Sequence, residues 1–264
     1  MLKKGDKVAL VCNSDQRKEA EREQILQLVE KIENMGMIPV YGEYLYESLS
    51  GRERAKILMD VYRDKEIKTI FDVSGGDLAN GVLPYLDYEE IAKSTKVFCG
   101  YSDLTTLINA IYAKTGKASV LYQIRNILSK EHEDLFHIDY EMVQGEDLQG
   151  IVIGGNIRCF LKLVGTPYMP DLTGKILLLE ARSGLMAQIE TYMAQLSQMG
   201  AFEKVSGVLL GTFTKLEAIK GLPGPEEILK PYVREDLPVA VTKDIGHAAD
   251  AKAIWIGKEL GKGN

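Results

Sequence analysis

The sequence predicts an α/β fold, with a parallel, doubly wound sheet in the first half of the chain and a second, mixed α/β unit after it. Three observations carry this. Apolar strand-like runs alternate with amphipathic helix-like segments as far as residue 122, and the connections are short and punctuated by Gly, Asp and Ser. With 264 residues, 45% hydrophobic and 27% charged, the chain has material for a sizeable core without a disulfide or metal.

Taken in order, "KVALVC" (7–12) is a compact first strand. Asp15 is placed to cap a helix in which Ile25, Leu26, Val29 and Ile32 recur at helical spacing until Gly36 stops it. "MIPVY" then reads as strand, "RERAKILMDVYRD" as helix and "TIFDVS" as strand; "LANGVLPYL" and "YEEIAKS" read as short helices, and "KVFCG" as strand. A helix starting near Asp103 and the strand "ASVLY" close the series. In such sheets the ligand crevice lies beyond the carboxyl ends of the strands, which draws attention to "SGGDLAN" (74–80) and "GYSD" (100–103).

Residues 129–149 are acidic and weakly periodic, and they mark a boundary between a domain at 1–140 and a second at 141–264. The second half opens on "GIVIGGNIRCFLKLVGTPY". It continues through the strand "KILLLE", a long helix around "LMAQIETYMAQLSQMG", the strand "VSGVLLGTF", the helix "PEEILKPYVRED" and short strands near "PVAV" and "AKAIWIG". A site in a cleft between two domains is the natural expectation.

Composition narrows the function. A net charge of −6 with scattered basic residues gives no footprint for nucleic acid, so a small molecule or peptide is the expected partner. No apolar run approaches the ~20 residues needed to cross a bilayer, and the N-terminus reads as a strand rather than an export signal. Cys12, Cys99 and Cys159 are odd in number and lie in apolar surroundings, as expected of free thiols in the cytoplasm. No nucleotide or phosphate fingerprint of the GxGxxG or GxxxxGK[ST] kind is present, and neither a cofactor nor a metal is expected.

Ser102 stands at a strand-to-helix turn. There its hydroxyl would be exposed beside the Asp103 N–H and a helix dipole, as a nucleophile with one oxyanion donor, or Ser102 or Asp103 simply caps the helix. Gly75 and Gly76 would let backbone N–H groups approach a ligand, or they form a tight turn. Of three histidines, His132 and His137 fall in the acidic boundary segment, where Glu131, Glu133 and Asp134 leave a weak metal site open against a solvated linker. His247, in "DIGHAAD", is either a base or a loop histidine. Glu180 ends a very apolar strand, where a carboxylate is either a cleft residue that orients a base or an exposed strand terminus.

"KVFCGYSDLTTL", preceded by "SGGDLANGVLPYLDYEEI" and followed by "GGNI", "GTPY", "KILLLE" and "GH", resembles the LD-carboxypeptidase family of serine peptidases, which includes the microcin C immunity proteins. The resemblance runs from "GDKVALV" to about Gly257. It implies a Rossmann-like parallel-sheet N-terminal domain and a smaller β-rich α/β C-terminal domain, often as a homodimer. It also implies a Ser-His-Glu triad, carried here onto Ser102, His247 and Glu180, with an oxyanion hole from the N–H groups of Gly76 and Asp103. The implied substrates are small: murein tetrapeptides that lose a terminal D-alanine, or aminoacyl-nucleotide conjugates in the immunity branch.

The chain departs from the family pattern in three places. Ser74 stands where many murein-recycling members carry an arginine, Asn13 and Ser14 replace a Pro-Ser pair, and Tyr122, Gln123 and Ile124 replace a His-Gly-Pro or Tyr-Gly-Pro segment. These touch the cleft walls and leave the three triad positions intact. Trp255, the one tryptophan, lies in a predicted strand and reads as core rather than as a nucleobase platform.

Overall fold

The computed structural model describes residues 2–130 and 132–260. Its first half builds a six-stranded sheet in the order β11-β5-β4-β3-β1-β2. The chain runs β1 (Lys7–Val11), α1 (Arg22–Asn34), β2 (Ile38–Val40), α2 (Gly51–Arg63) and β3 (Ile67–Asp72). It continues through α3 (Tyr88–Lys93), β4 (Val97–Gly100), α4 (Thr105–Thr115) and β5 (Ser119–Leu121). β1 to β5 pair in parallel, and β11 (Ile254–Ile256) adds to β5 antiparallel. A parallel strand is covered on both faces, which explains why Val8 to Val11 are all buried.

The second sheet has five strands in the order β6-β10-β9-β8-β7. The chain passes through β6 (Glu141–Gln144), β7 (Val152–Asn156), α5 (Ile157–Leu161), β8 (Ile176–Ala181), α6 (Met186–Gln198) and α7 (Ala201–Lys204). β9 (Gly207–Phe213), α8 (Thr214–Glu217), α9 (Pro225–Leu229) and β10 (Val239–Val241) complete it. β7 to β10 are parallel and β6 is antiparallel to β10, so both units are α/β with mainly parallel sheets. All six residues of β8 are buried, and its four aliphatic side chains each contribute roughly 1.5–3 kcal/mol by leaving water. Among the described residues no helix is long and apolar enough to cross a membrane.

Some local expectations are corrected. Asp15 does not cap α1; a single 3-10 turn at Glu19–Glu21 leads into that helix, and Asp15 forms a bridge with Gly75. Leu26 is exposed, and the buried stripe of α1 is Ile25, Leu28, Val29 and Ile32. "LANGVLPYL" forms two 3-10 turns, Ala79–Gly81 and Leu83–Tyr85, because Gly81 and Pro84 are both poor interior helix residues. The acidic segment after residue 129 contains β6, an edge strand.

The two sheets meet through α4. Asn109, fully buried on that helix, donates to the Gly154 carbonyl at 2.9 Å and accepts from the Gly154 N–H at 2.9 Å. Thr105 Oγ1 accepts from the Asn156 N–H at 3.0 Å. These bonds lock β7 against the helix that follows Ser102, satisfying polar groups that would be costly if buried alone.

Candidate active site

The loops at the carboxyl ends of β1, β3, β4 and β5 form one edge of the first sheet. Ser102 sits there in a 3-10 turn, Ser102–Leu104, between β4 and α4. It is the one non-glycine residue with positive φ, +56°, among the described residues. A serine held in this left-handed conformation marks a strained strand-to-helix turn that presents a hydroxyl. Neither Ser102 nor Asp103 caps the helix with its side chain; the cap position falls at Leu104, which makes no side-chain bond.

Asp103 has a different task. Its fully buried carboxylate accepts from Ser14 Oγ at 2.7 Å, the Ala79 N–H at 2.8 Å and Lys162 Nζ at 2.6 Å. One side chain thus ties the Ser102 turn to the β1 loop, the glycine loop and α5. Lys162 also donates to the Asp77 carbonyl at 3.0 Å, and Arg158 pairs with the Asp77 carboxylate and holds its pKa below the ordinary range.

The glycine loop is fixed from below. The Asn13 N–H and Nδ2 donate to Asp72 Oδ2 at 2.9 and 2.8 Å, and the Ser74 N–H donates to Oδ1 of the same carboxylate at 2.9 Å. Burial raises the Asp72 carboxyl above the ordinary range, with these donors opposing the shift. Gly75 runs beside the serine, where an added Cβ would stand 3.9 Å from Ser102 Cβ. Gly76 has φ +130°, and a Cβ there would fall 2.2 Å from the Asp15 carboxyl group, so only glycine fits.

Glu180, on β8, is fully buried. His247 follows β10 in a loop that lies against β9: Thr212 donates its N–H to the Ile245 carbonyl at 2.8 Å, and a Cβ on Gly246 would meet Thr212 Oγ1 at 1.7 Å. That close approach sets the imidazole over β8. His247 Nδ1 lies 2.8 Å from Glu180 Oε2, and Nε2 lies 3.2 Å from Ser102 Oγ. The Tyr101 ring packs on the imidazole, centroids 4.5 Å apart. Burial first, and the neighbouring Glu180 carboxylate second, push the Tyr101 hydroxyl well above the ordinary phenol range.

The structure therefore brings Ser102, His247 and Glu180 into one hydrogen-bonded line, with Gly75 beside Ser102 and Asp103 next to it in the chain. His137 lies elsewhere, exposed and 3.0 Å from Asp139. Among the described residues no three His, Cys, Asp or Glu side chains converge as metal ligands, and Glu131 lies outside those residues. Trp255, expected in the core, stands half-buried on β11, stacked on Phe136 at 5.6 Å with Lys258 Nζ over its ring at 3.4 Å from the centroid. Lys162, Asn109 and Thr105 were not singled out by the sequence reading; two of them, polar positions inside the otherwise apolar "TTLINAI", carried the signal.

Comparison with known proteins places the chain in a family. The model of the LD-carboxypeptidase N-terminal domain matches residues 8–122, and that of the LD-carboxypeptidase C-terminal domain matches residues 149–261. The probable murein peptide carboxypeptidase of Bacillus subtilis is 26% identical over 97% of this chain and 88% of its own length. The microcin C7 self-immunity protein MccF of Escherichia coli is 25% identical over 97% of this chain and 90% of its own. A solved structure of MccF in complex with glutamyl sulfamoyl guanosine superposes with a TM-score of 0.88 at 22% identity, covering 98% of this chain and 93% of the other.

Proposed function

This chain belongs to the LD-carboxypeptidase family and is a serine carboxypeptidase-type hydrolase, and we propose that Ser102, His247 and Glu180 are its catalytic triad. The observation that carries the residue assignment is the continuous line from Ser102 Oγ through the His247 ring to Glu180, at 3.2 and 2.8 Å. Both distances are within reach of proton transfer in a site without substrate.

His247 Nε2 takes the Ser102 proton as Oγ attacks the carbonyl of the terminal amide bond. The tetrahedral oxyanion is met by the N–H groups of Gly76 and Asp103, at a turn preorganised by the Asp103 carboxylate. His247 then gives its proton to the leaving amine, and the acyl group remains on Ser102. Water, deprotonated by the same nitrogen, releases the acid and restores the hydroxyl. Glu180, bonded to Nδ1, holds the tautomer that leaves Nε2 free to accept and stabilises the imidazolium.

The substrate we propose is a short peptide ending in a D-configured residue after an L-centre, as in a murein tetrapeptide. The position of Trp255, engaged with Phe136 and Lys258 on β11, gives the cleft no tryptophan platform for a nucleobase and favours the peptide over an aminoacyl nucleotide. We extend the reading to the cytoplasm, where three buried free thiols are at home, and, on the family resemblance alone, to a homodimer and a division of the chain near residue 140. Incubation with the tetrapeptide and with an aminoacyl sulfamoyl nucleoside, followed by mass spectrometry, separates the substrate classes. Release of D-alanine is expected. Turnover of the nucleoside conjugate alone would replace the peptide reading.

A further inference from the structure

Glu180 is a fully buried carboxylate with only one of its oxygens answered. Oε2 lies 2.8 Å from His247 Nδ1, while Oε1 is equally out of reach of solvent and meets no donor at full hydrogen-bond geometry among the described residues. A carboxylate can accept bonds at both oxygens, and burying one that is half satisfied is costly. The strand that makes Glu180 a precise orienter thus leaves it in need of a second donor.

Tyr101 stands where such a donor is needed. It is the residue of "GYSD" that precedes the nucleophile, it is 4% exposed, and its buried hydroxyl has no acceptor at full hydrogen-bond geometry among the described residues. Its ring packs on the His247 imidazole with centroids 4.5 Å apart, so Tyr101 and Glu180 touch the same imidazole. The backbone of Tyr101 is extended (φ −149°, ψ 163°), and its carbonyl accepts from the Leu104 N–H at 3.0 Å. The turn that strains Ser102 therefore fixes the tyrosine as well. Burial first, then the charge of Glu180 and hydrogen bonding to it, hold the phenol well above its ordinary range, which makes the two groups neighbours. A buried donor and a buried acceptor that lack other partners and lie against one ring relieve each other's desolvation when they pair.

We propose that Tyr101 is a positioning residue of the triad, its hydroxyl donating to Glu180 Oε1 so that the line runs Tyr101–Glu180–His247–Ser102. This rests on the serine-peptidase reading. The bond shortens as substrate fills the site, as catalytic hydrogen bonds do. No proton changes hands in it: the phenol stays protonated throughout the cycle. The bond holds the carboxylate in the rotamer that keeps Oε2 on Nδ1 while the imidazolium forms and decays. The residue before the nucleophile thereby couples the Ser102 turn on the first sheet to the β8 carboxylate on the second.

The test is a double-mutant cycle on hydrolysis of a chromogenic acyl ester, read against a Ser102→Ala blank. Tyr101→Phe keeps the ring on the imidazole and removes only the donor. It should lower kcat by about tenfold or more with KM within about twofold, as expected for a bond to a charged group that acts in the transition state. In a Glu180→Gln background the same substitution should change kcat by less than about twofold, because the carboxylate it acts through is gone. With ¹³Cζ-labelled tyrosine, the resonance that disappears in Tyr101→Phe should shift in Glu180→Gln. Parent-like turnover by Tyr101→Phe, an equal loss in both backgrounds, or a Tyr101 resonance indifferent to Glu180→Gln would each overturn the assignment. Thr212 Oγ1 is the other buried hydroxyl without a partner beside the histidine loop, so coupling of Thr212→Val to Glu180→Gln in place of Tyr101→Phe would overturn it too. Parent turnover no faster than the Ser102→Ala blank would overturn the peptidase reading and this assignment with it. A crippled Glu180→Gln beside an unimpaired Tyr101→Phe would overturn the assignment alone.

Discussion

Replacing Lys162 with Met isolates the strut beneath the nucleophile turn. The substitution keeps the aliphatic stem and removes the cation 2.6 Å from the Asp103 carboxylate, a group with no exposure to solvent. Removing one partner of a buried ion pair costs roughly 3–5 kcal/mol. Here the Lys162 side chain is 19% exposed, and Ser14 and Ala79 still donate to the carboxylate, so the loss falls below that range. About 2–3 kcal/mol is expected, or a melting temperature roughly 5–10 °C lower for a chain of this size. Displacing the turn should also lower kcat/KM by about a hundredfold. Denaturant titrations and steady-state kinetics read both effects. A variant as stable and as active as the parent would refute the strut.

Three further outcomes follow from the same geometry. Glu180→Gln preserves shape at a fully buried position but loses the charge opposite Nδ1, and kcat should fall by about 10³–10⁴ with little change in KM; a loss under tenfold would remove Glu180 from the triad. Gly246→Ala drives a Cβ to 1.7 Å from Thr212 Oγ1, so the histidine loop must move and activity should drop by at least about tenfold, with partial recovery in Gly246→Ala/Thr212→Ala; full activity in the single variant would contradict the packing. Burial pushes the Cys12 thiol up to about 12. The unfolded chain therefore releases that proton near pH 8.5 while the folded chain retains it, so this contribution to stability is full below that pH and declines up to about 12, by at most ~1.4 kcal/mol per pH unit. Urea titrations at pH 9 to 11 should give a shallower decline for Cys12→Ala, and an unchanged slope would refute the assignment.

How much of this was written locally in the chain varies by residue. The strands were legible because parallel strands buried on both faces read as short apolar runs, and "KILLLE" placed Glu180 at the carboxyl end of β8 where it is found. The order of Ser102, Glu180 and His247 was legible through the resemblance of several separate motifs. What was hidden depends on contacts across the fold. Asp103 looked like a helix cap, because the partner that gives it another task, Lys162, lies 59 residues away. Asp15 looked like a cap for the same reason: its partner Gly75 belongs to another loop. The return of β11 to the first sheet follows an antiparallel pairing with β5 that no local pattern announces.

The most direct measurement is to react the protein with a chromogenic acyl ester, quench in acid, and locate the acyl group by peptide mass mapping. The mechanism predicts one added acyl group on Ser102, absent in Ser102→Ala and strongly reduced in His247→Ala. An acyl group on any other residue, or equal turnover by Ser102→Ala, would contradict it.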